Sequence, residues 1–320
     1  LSRGLGDVYK RQVYVRGDRS CLPSNSTTAA TILRSSGPLY TGTQTFSFTD
    51  TSFMSVGNPY PSAVDFRQVT KTNVQEFMYL WDPSLTGTYG AGAFQTFFLN
   101  GTTGQYEPVP YIPGSNYGTT NNNIQSGQAF FARAYGSGVR SLVFNESNKA
   151  SGSRNVFRPV PGARSQFLRA TLNMVTASGK TVMDGVVAQF DDRFNNGVDM
   201  FDAVKMPNSS ENLAWLSSKR MLAFERRKVV HTNDTLYLQL SNTRLADYSM
   251  LVSCADMDLS GTDAWLYDRF TRIMTPLNLN GDVYYSFNVQ NVAGSRDPGR
   301  FVIVFKKSNR PTWQPQLVIH

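Results

Sequence analysis

The sequence predicts an all-β protein built from two antiparallel β-sandwich-like domains in tandem, of the jelly-roll or immunoglobulin-like kind. Three observations lead to this prediction. Only five of the 320 residues are Glu, and charged residues make up 17% of the chain, against about 25% in typical globular proteins, so the usual residues of surface helices are scarce. Short apolar runs alternate with polar residues. Clusters of Gly, Pro and Asn separate these runs at short intervals, as turns do in sandwiches.

The individual strands are predicted from period-two alternation, which places every second side chain on one face. Residues 45–48, 235–240 and 283–289 show this alternation. Residues 301–305 are apolar on both faces, which is typical of a central strand. At most, a short helix is expected within residues 67–77.

The domain boundary is expected between residues 145 and 161, where a polar stretch is followed by a Pro-Val-Pro sequence. This places the first domain at residues 13–148 and the second at residues 155–320. Residues 1–12 resemble a translated sequencing adaptor and are expected to be an artefactual leader. The sequence ends inside an apolar run, so the second domain is expected to be truncated.

The charge distribution argues against a nucleic-acid partner. The net charge is +8, but the Arg residues are scattered singly rather than grouped in a basic patch. No stretch reaches the roughly 18–20 apolar residues of a membrane span, so no transmembrane segment is expected. Cys21 and Cys254 could pair or remain separate, and the sequence does not decide between these alternatives.

The search for catalytic residues predicts none. A nucleophile of the Ser-His-Asp kind needs a positioned imidazole; His231 lies in an expected loop, and the other histidine is the terminal His320. Asp191 and Asp192 are adjacent, so on a strand they would point to opposite faces. A glycosidase needs only two facing carboxylates, so a hydrolase fragment stays an alternative.

No metal, cofactor or short-motif binding site is predicted either. Residues 256–263 resemble the start of a calcium loop, but the twelfth position, which needs a carboxylate, is Tyr267. Residues 178–181 resemble the end of a phosphate-binding loop, yet Met174 stands where that loop needs its first glycine. Residues 16–18 read Arg-Gly-Asp and are expected to be a strand-end turn.

Tryptophans offer the one candidate ligand surface, since indole rings can stack on sugars. Each Trp lies in an apolar run, which favours packing in a core. The alternative is a carbohydrate-binding module whose exposed aromatics include Trp81 and Trp265. The four Trp residues are Trp81, Trp215, Trp265 and Trp313.

One block carries a more specific signal. Residues 56–65 read Val-Gly-Asn-Pro-Tyr-Pro-Ser-Ala-Val-Asp, and their two prolines favour an extended turn. This block resembles the "VGNPYPS" region of large extracellular Bacteroidota proteins that are cargo of the type IX secretion system. The resemblance spans about residues 13–305. Supporting blocks lie at residues 14–19, 41–45, 79–83, 124–133, 190–191, 202–205 and 297–301.

The resemblance implies an extracellular or outer-membrane-surface location and flanking domains of the same polypeptide as partners. It implies no catalytic residues, and a C-terminal sorting domain is expected beyond the present sequence. The expected function is therefore a non-catalytic structural or adhesive module. Extracellular polysaccharide or a surface matrix is the further expected partner.

Overall fold

The computed structural model describes residues 36–82, 85–86, 92–110, 122–150, 166–177, 179–257, 259 and 261–308. Within these residues the secondary structure consists of β-strands and three short 3₁₀ turns, Phe66–Gln68, Glu146–Asn148 and Ala293–Arg296. The prediction of an all-β fold is confirmed. No helix in this part of the chain is long and apolar enough to cross a membrane.

Residues 36–150, called here the first region, form three small sheets. The largest has the strand order β2-β9-β5-β6-β7, and the others are β1-β10-β4 and β3-β8. The strands are β1 (Gln44–Ser47), β2 (Phe53–Gly57), β3 (Val64–Asp65), β4 (Thr70–Thr72), β5 (Phe77–Asp82), β6 (Ala93–Asn100), β7 (Gln105–Val109), β8 (Asn123–Ile124), β9 (Ala129–Arg133) and β10 (Ser141–Phe144).

Residues 166–308, called here the second region, form one eleven-stranded sheet. Its order is β19-β18-β21-β16-β14-β15-β12-β11-β17-β20, and β13 pairs with β15. The strands are β11 (Gln166–Thr176), β12 (Gly179–Phe190), β13 (Ala203–Val204), β14 (Asn212–Ser217), β15 (Arg220–Arg227), β16 (Thr235–Ser241), β17 (Asp247–Ala255), β18 (Thr262–Asp268), β19 (Ile273–Pro276), β20 (Asp282–Asn288) and β21 (Phe301–Lys307).

The prediction of purely antiparallel pairing is wrong at one position. Strands β12 and β15 run parallel, with Val187 opposite Phe224. Parallel neighbours need a long crossover connection, and residues 191–219, which include β13 and β14, provide it.

The strand predictions agree with the observed elements. Residues 235–240 lie in β16, where Leu236, Leu238 and Leu240 are buried. Residues 301–305 lie in β21, which pairs with β16 on one side and β18 on the other, as a central strand does. The expected short helix is reduced to the 3₁₀ turn Phe66–Gln68, because β4 begins two residues later.

The block at residues 56–62 is a structural clamp in the first region. The Asn58 side chain accepts from the backbone N–H of Tyr60 (2.9 Å) and donates to the carbonyls of Ser62 (2.8 Å) and Ile124 (2.9 Å). The buried Tyr60 hydroxyl reaches the carbonyl of Phe144 at 2.9 Å. The block thus ties the turn after β2 to β8 and β10.

Candidate functional site

The two regions share a buried apolar layer, which we call the junction core. The Phe98 and Phe224 rings stack at 4.2 Å between centroids, with an interplanar angle of 20°. Phe167 lies against Phe98 at 6.1 Å. The first region contributes Phe77, Tyr79, Phe98 and Val109 to this core, and the second contributes Phe167, Val187, Ala203, Met206 and Phe224.

Hydrogen bonds also cross the junction. The Gln75 side chain donates to the carbonyls of Asp202 (2.9 Å) and Met200 (3.2 Å). In the opposite direction, the Arg226 guanidinium donates to the carbonyl of Leu99 at 2.9 Å. These side chains bind backbone carbonyls of the other region. The bonds therefore fix the main chain of each region relative to the other.

A cleft of about 380 Å³ opens beside this junction. The first region contributes Arg133 at the end of β9 and Tyr135 just after it. The second region contributes Asp199, Ser218 and Arg220, with Val198 and Val204 as apolar lining. The cleft is therefore built by both regions together.

Two local features place the arginines. The Arg133 guanidinium lies over the Phe53 ring, 5.9 Å from its centroid. Arg220 follows the two-residue turn between β14 and β15, where Ser218 and Lys219 have φ angles of 47° and 64°. Hairpin turns with two positive φ angles usually contain Gly or Asn, so other residues there are strained. The pairing of β14 with β15 on both sides of this turn places Ser218 and Arg220 at the cleft.

The cleft carries positive charge. Burial lowers the pKa of Arg133, and the nearby charge of Arg220 lowers it further. No ion pair of either arginine is found in the part of the chain that the structure describes. The two guanidinium groups therefore lie near each other without a bonded carboxylate.

Asp199 is the cleft's acidic residue within the described lining. Its oxygens accept from the Phe201 N–H (2.8 Å) and the Asn195 side chain (2.6 Å). The neighbouring Asp202 is buried, and its oxygens accept from the N–H groups of Asp199 (2.7 Å) and Arg226 (2.8 Å). Burial raises the pKa of Asp202 to about 7. Asp202 thus shapes the loop and does not line the cleft.

The tryptophans are not assembled into one platform by the described residues. Trp215 is buried in β14. Trp81 is half-buried in β5 and meets Phe94 edge-on at 4.9 Å. Trp265 is half-buried in β18 of the second region. Trp313 lies outside the described residues.

The predicted loop position of His231 is confirmed, whereas Asp191 and Asp192 follow the end of β12 and do not lie on a strand. His231 is exposed, and its backbone N–H donates to the Asp234 carboxylate at 2.7 Å. Asp191 is bonded through its side chain to Arg193 (2.6 Å), and this bond lowers the pKa of Asp191. Asp192 is exposed beside it.

The other candidates are placed only in part. Tyr267 lies in β18, as expected, but positions 258 and 260 of the calcium-like segment lie outside the described residues. No cluster of His, Cys, Asp and Glu suited to a metal occurs among the residues described. Thr176 of β11 pairs with Gly179 of β12, and position 178 of the segment that resembles a phosphate-binding loop lies outside the described residues. Residues 16–18, Cys21 and His320 lie outside the described part.

Cys254 is buried with a free thiol, and burial raises its pKa to about 12. A thiol with this pKa stays protonated at neutral pH and is a poor nucleophile. The residue therefore acts as an apolar core side chain of β17.

Fold and cleft define a class: an all-β protein of two packed regions with a cationic cleft at their junction. The family described as "Domain of unknown function (DUF8693)" matches residues 9–305, and the chain belongs to this family. The match begins within the segment 1–12 and covers both regions. No curated protein and no solved structure matches the chain.

Proposed function

We propose that the chain is a non-catalytic structural module of a secreted or cell-surface bacterial protein, in which both regions act as one rigid spacer or adhesive body. The observation that carries this proposal is the junction core. Separate domains on a flexible linker would expose the rings of Phe98 and Phe224, whereas here both are fully buried. Burying such rings contributes roughly 1.5–3 kcal/mol each.

The remaining parts of the proposal follow from the resemblance of residues 56–65. We propose that each region is a sandwich-like unit of the jelly-roll or immunoglobulin-like kind, that the protein comes from the Bacteroidota, and that it is exported by the type IX route. The proposed partners are flanking domains of the same polypeptide and an extracellular matrix or polysaccharide. The clamp formed by Asn58 and Tyr60 supports the view that this block serves the fold.

Calorimetry of the Phe98→Ala variant tests the rigid-body role. We expect the wild-type chain to unfold in one transition whose calorimetric and van't Hoff enthalpies agree. Phe98→Ala should remove about 3–5 kcal/mol at the junction and split this transition in two. The matched control is Phe130→Ala, an equally buried ring inside the first region, which should lower the midpoint without splitting it.

Two wild-type transitions that Phe98→Ala leaves unchanged would contradict the rigid-body role. The location is tested separately with an antibody against the chain. Intact cells of the source bacterium should be labelled, and external protease should remove the label. Labelling that requires permeabilised cells would contradict the surface location.

The two alternatives are supported less well by the described residues. A carbohydrate-binding module based on tryptophans needs exposed coplanar rings, and Trp81 and Trp265 are half-buried in different sheets. A hydrolase needs two carboxylates facing one cleft. At the junction cleft Asp199 faces the opening, whereas both oxygens of Asp202 bind backbone N–H groups.

A further inference from the structure

We propose that the junction cleft binds an acidic sugar residue, whose carboxylate lies between Arg133 and Arg220. This site differs from the tryptophan surface predicted from the sequence. The proposed site does not depend on the rigid-body role, because a rigid spacer needs no ligand-binding cleft. It adds a ligand to that role. The proposal is argued from the charge, the polar lining and the size of the cleft.

The positive charge of the cleft favours an anionic ligand. Arg133 is partly buried over Phe53, and Arg220 lowers its pKa. Two guanidinium groups held close together repel each other, and a bound carboxylate removes this repulsion. Arginine binds carboxylates through paired N–H donors, which gives stronger and better oriented bonds than a lysine point charge. A carboxylate therefore fits the space between the two arginines.

The other polar groups favour a sugar over a bare anion. Asp199 lines the cleft, and a bare inorganic anion offers its carboxylate no hydrogen-bond donor. Each carboxylate oxygen of Asp199 carries one observed hydrogen bond, which leaves lone pairs to accept from ligand hydroxyls. The hydroxyl of Ser218 adds a donor and an acceptor. A ligand that combines one carboxylate with several hydroxyls satisfies this lining.

The shape of the cleft agrees with a sugar ring. The cleft volume of about 380 Å³ lies at the lower end of the roughly 300–1,000 Å³ of typical ligand sites. Tyr135 is 37% exposed, so part of its ring is available at the wall. Aromatic rings offer an apolar face with a polar edge, which suits the C–H face of a sugar. Val204 provides further apolar lining.

Titration of the full chain with the dimer of galacturonic acid tests the proposal. Backbone ¹H–¹⁵N NMR locates the binding, and calorimetry measures its affinity. We expect saturable shifts of the amide signals of Tyr135, Ser218 and Arg220. Galactobiose, the neutral dimer, should bind at least about tenfold more weakly because charge-assisted bonds to the arginines are lost. Inorganic sulfate should also bind more weakly, because it has no hydroxyl that can donate to the carboxylate of Asp199.

Arg220→Gln is the decisive variant because Arg220 is exposed, so we expect the fold to tolerate its loss. We expect it to weaken the galacturonate dimer about tenfold. Arg296→Gln is the matched control: Arg296 is an exposed arginine of the turn Ala293–Arg296, and its loss removes the same charge elsewhere. It should leave the affinity unchanged.

Four results would overturn the proposal. The first is an absence of shifts at the cleft with the galacturonate dimer. The second is equal binding of the dimer and of sulfate, which would show a site for any anion. The third is equal weakening by Arg220→Gln and Arg296→Gln, which would show attraction by net charge alone. Binding of a nucleic-acid oligomer more tightly than of the dimer would also count against a sugar site.

Discussion

The two regions bury different kinds of side chain. The core of the first region is largely aromatic, with Phe66, Phe130 and Phe144 near its centre. The core of the second region is largely aliphatic, with Leu168, Leu213 and many similar residues under one long sheet. The core that is rich in rings lies among three small sheets, whereas the more aliphatic core lies under one eleven-stranded sheet.

The buried polar groups differ in the same way. In the first region many of them are amides, such as Asn122 and Asn148, whose side chains bind backbone groups near the ends of short strands. In the second region they include ion pairs. These pairs are Asp184 with Lys205, Glu211 with Arg244, and Asp268 with Arg300. An amide both donates and accepts, so it can satisfy loose strand ends.

Among the variants that test this difference between the regions, Arg300→Met should lower the free energy of unfolding most. Arg300 and Asp268 are buried and share two hydrogen bonds, of 2.9 and 2.7 Å. Arg300→Met leaves the Asp268 carboxylate buried with the Tyr285 hydroxyl (2.9 Å) as its remaining side-chain donor. We expect the free energy of unfolding, measured with urea, to fall by about 3–5 kcal/mol.

The control for Arg300 is an exposed pair with the same geometry. Arg193 binds Asp191 through two bonds, of 2.9 and 2.6 Å, but Arg193 is exposed to water. Arg193→Gln should therefore leave the urea midpoint unchanged. If both variants lost the same stability, burial of the ion pair would not explain the difference between the regions.

Removing the Asn58 amide should have a smaller effect, within the first region. Asn58→Ala breaks the bonds to Tyr60, Ser62 and Ile124. We expect a loss of roughly 1–3 kcal/mol in urea unfolding, because buried backbone groups lose their partners. Asn288→Ala, at an exposed amide that binds Asp247, is the control and should be nearly neutral. Equal losses would show that the clamp at residues 56–62 is not special.

Local patterns predicted the strands well because alternation depends only on neighbouring residues. Residues 235–240 illustrate this, since Leu236, Leu238 and Leu240 are buried as their spacing required. Pairing depends on distant residues and was harder to predict. Nothing local shows that Val187 faces Phe224 in a parallel pair, or that Phe98 and Phe224 close a shared core.

The cleft was missed for the same reason. Arg133 and Arg220 each look like ordinary surface arginines at strand ends. Only the packing of the first region against the second brings them to one cleft. The turn itself could have been found, since four polar residues, 217–220, separate two apolar runs there. No pattern in the sequence around Arg133 shows that this residue lies across the junction from the turn.

The smallest expected effect concerns pH and tests the junction. Asp202 has a pKa raised to about 7 by burial, whereas an unfolded Asp has a pKa of about 3.9. The folded chain therefore binds this proton more tightly, so stability falls as pH rises through the folded pKa and levels off above it. Between pH 6 and pH 8 the free energy of unfolding should fall by roughly 1.4 kcal/mol from this group.

Asp202→Asn removes this titration. Asn keeps one acceptor for the N–H groups of Asp199 and Arg226, so the variant should be less stable overall but have a flatter dependence on pH over this range. Buried Glu225, whose pKa burial also raises, contributes with the same sign and remains in both proteins. Urea midpoints are measured at pH 6 and pH 8 for the wild-type chain and for Asp202→Asn. The change in stability between the two pH values is then compared between the two proteins. Equal slopes would show that the Asp202 carboxyl is not protonated in the folded chain at neutral pH. The stability of the junction would then not depend on the titration of this group.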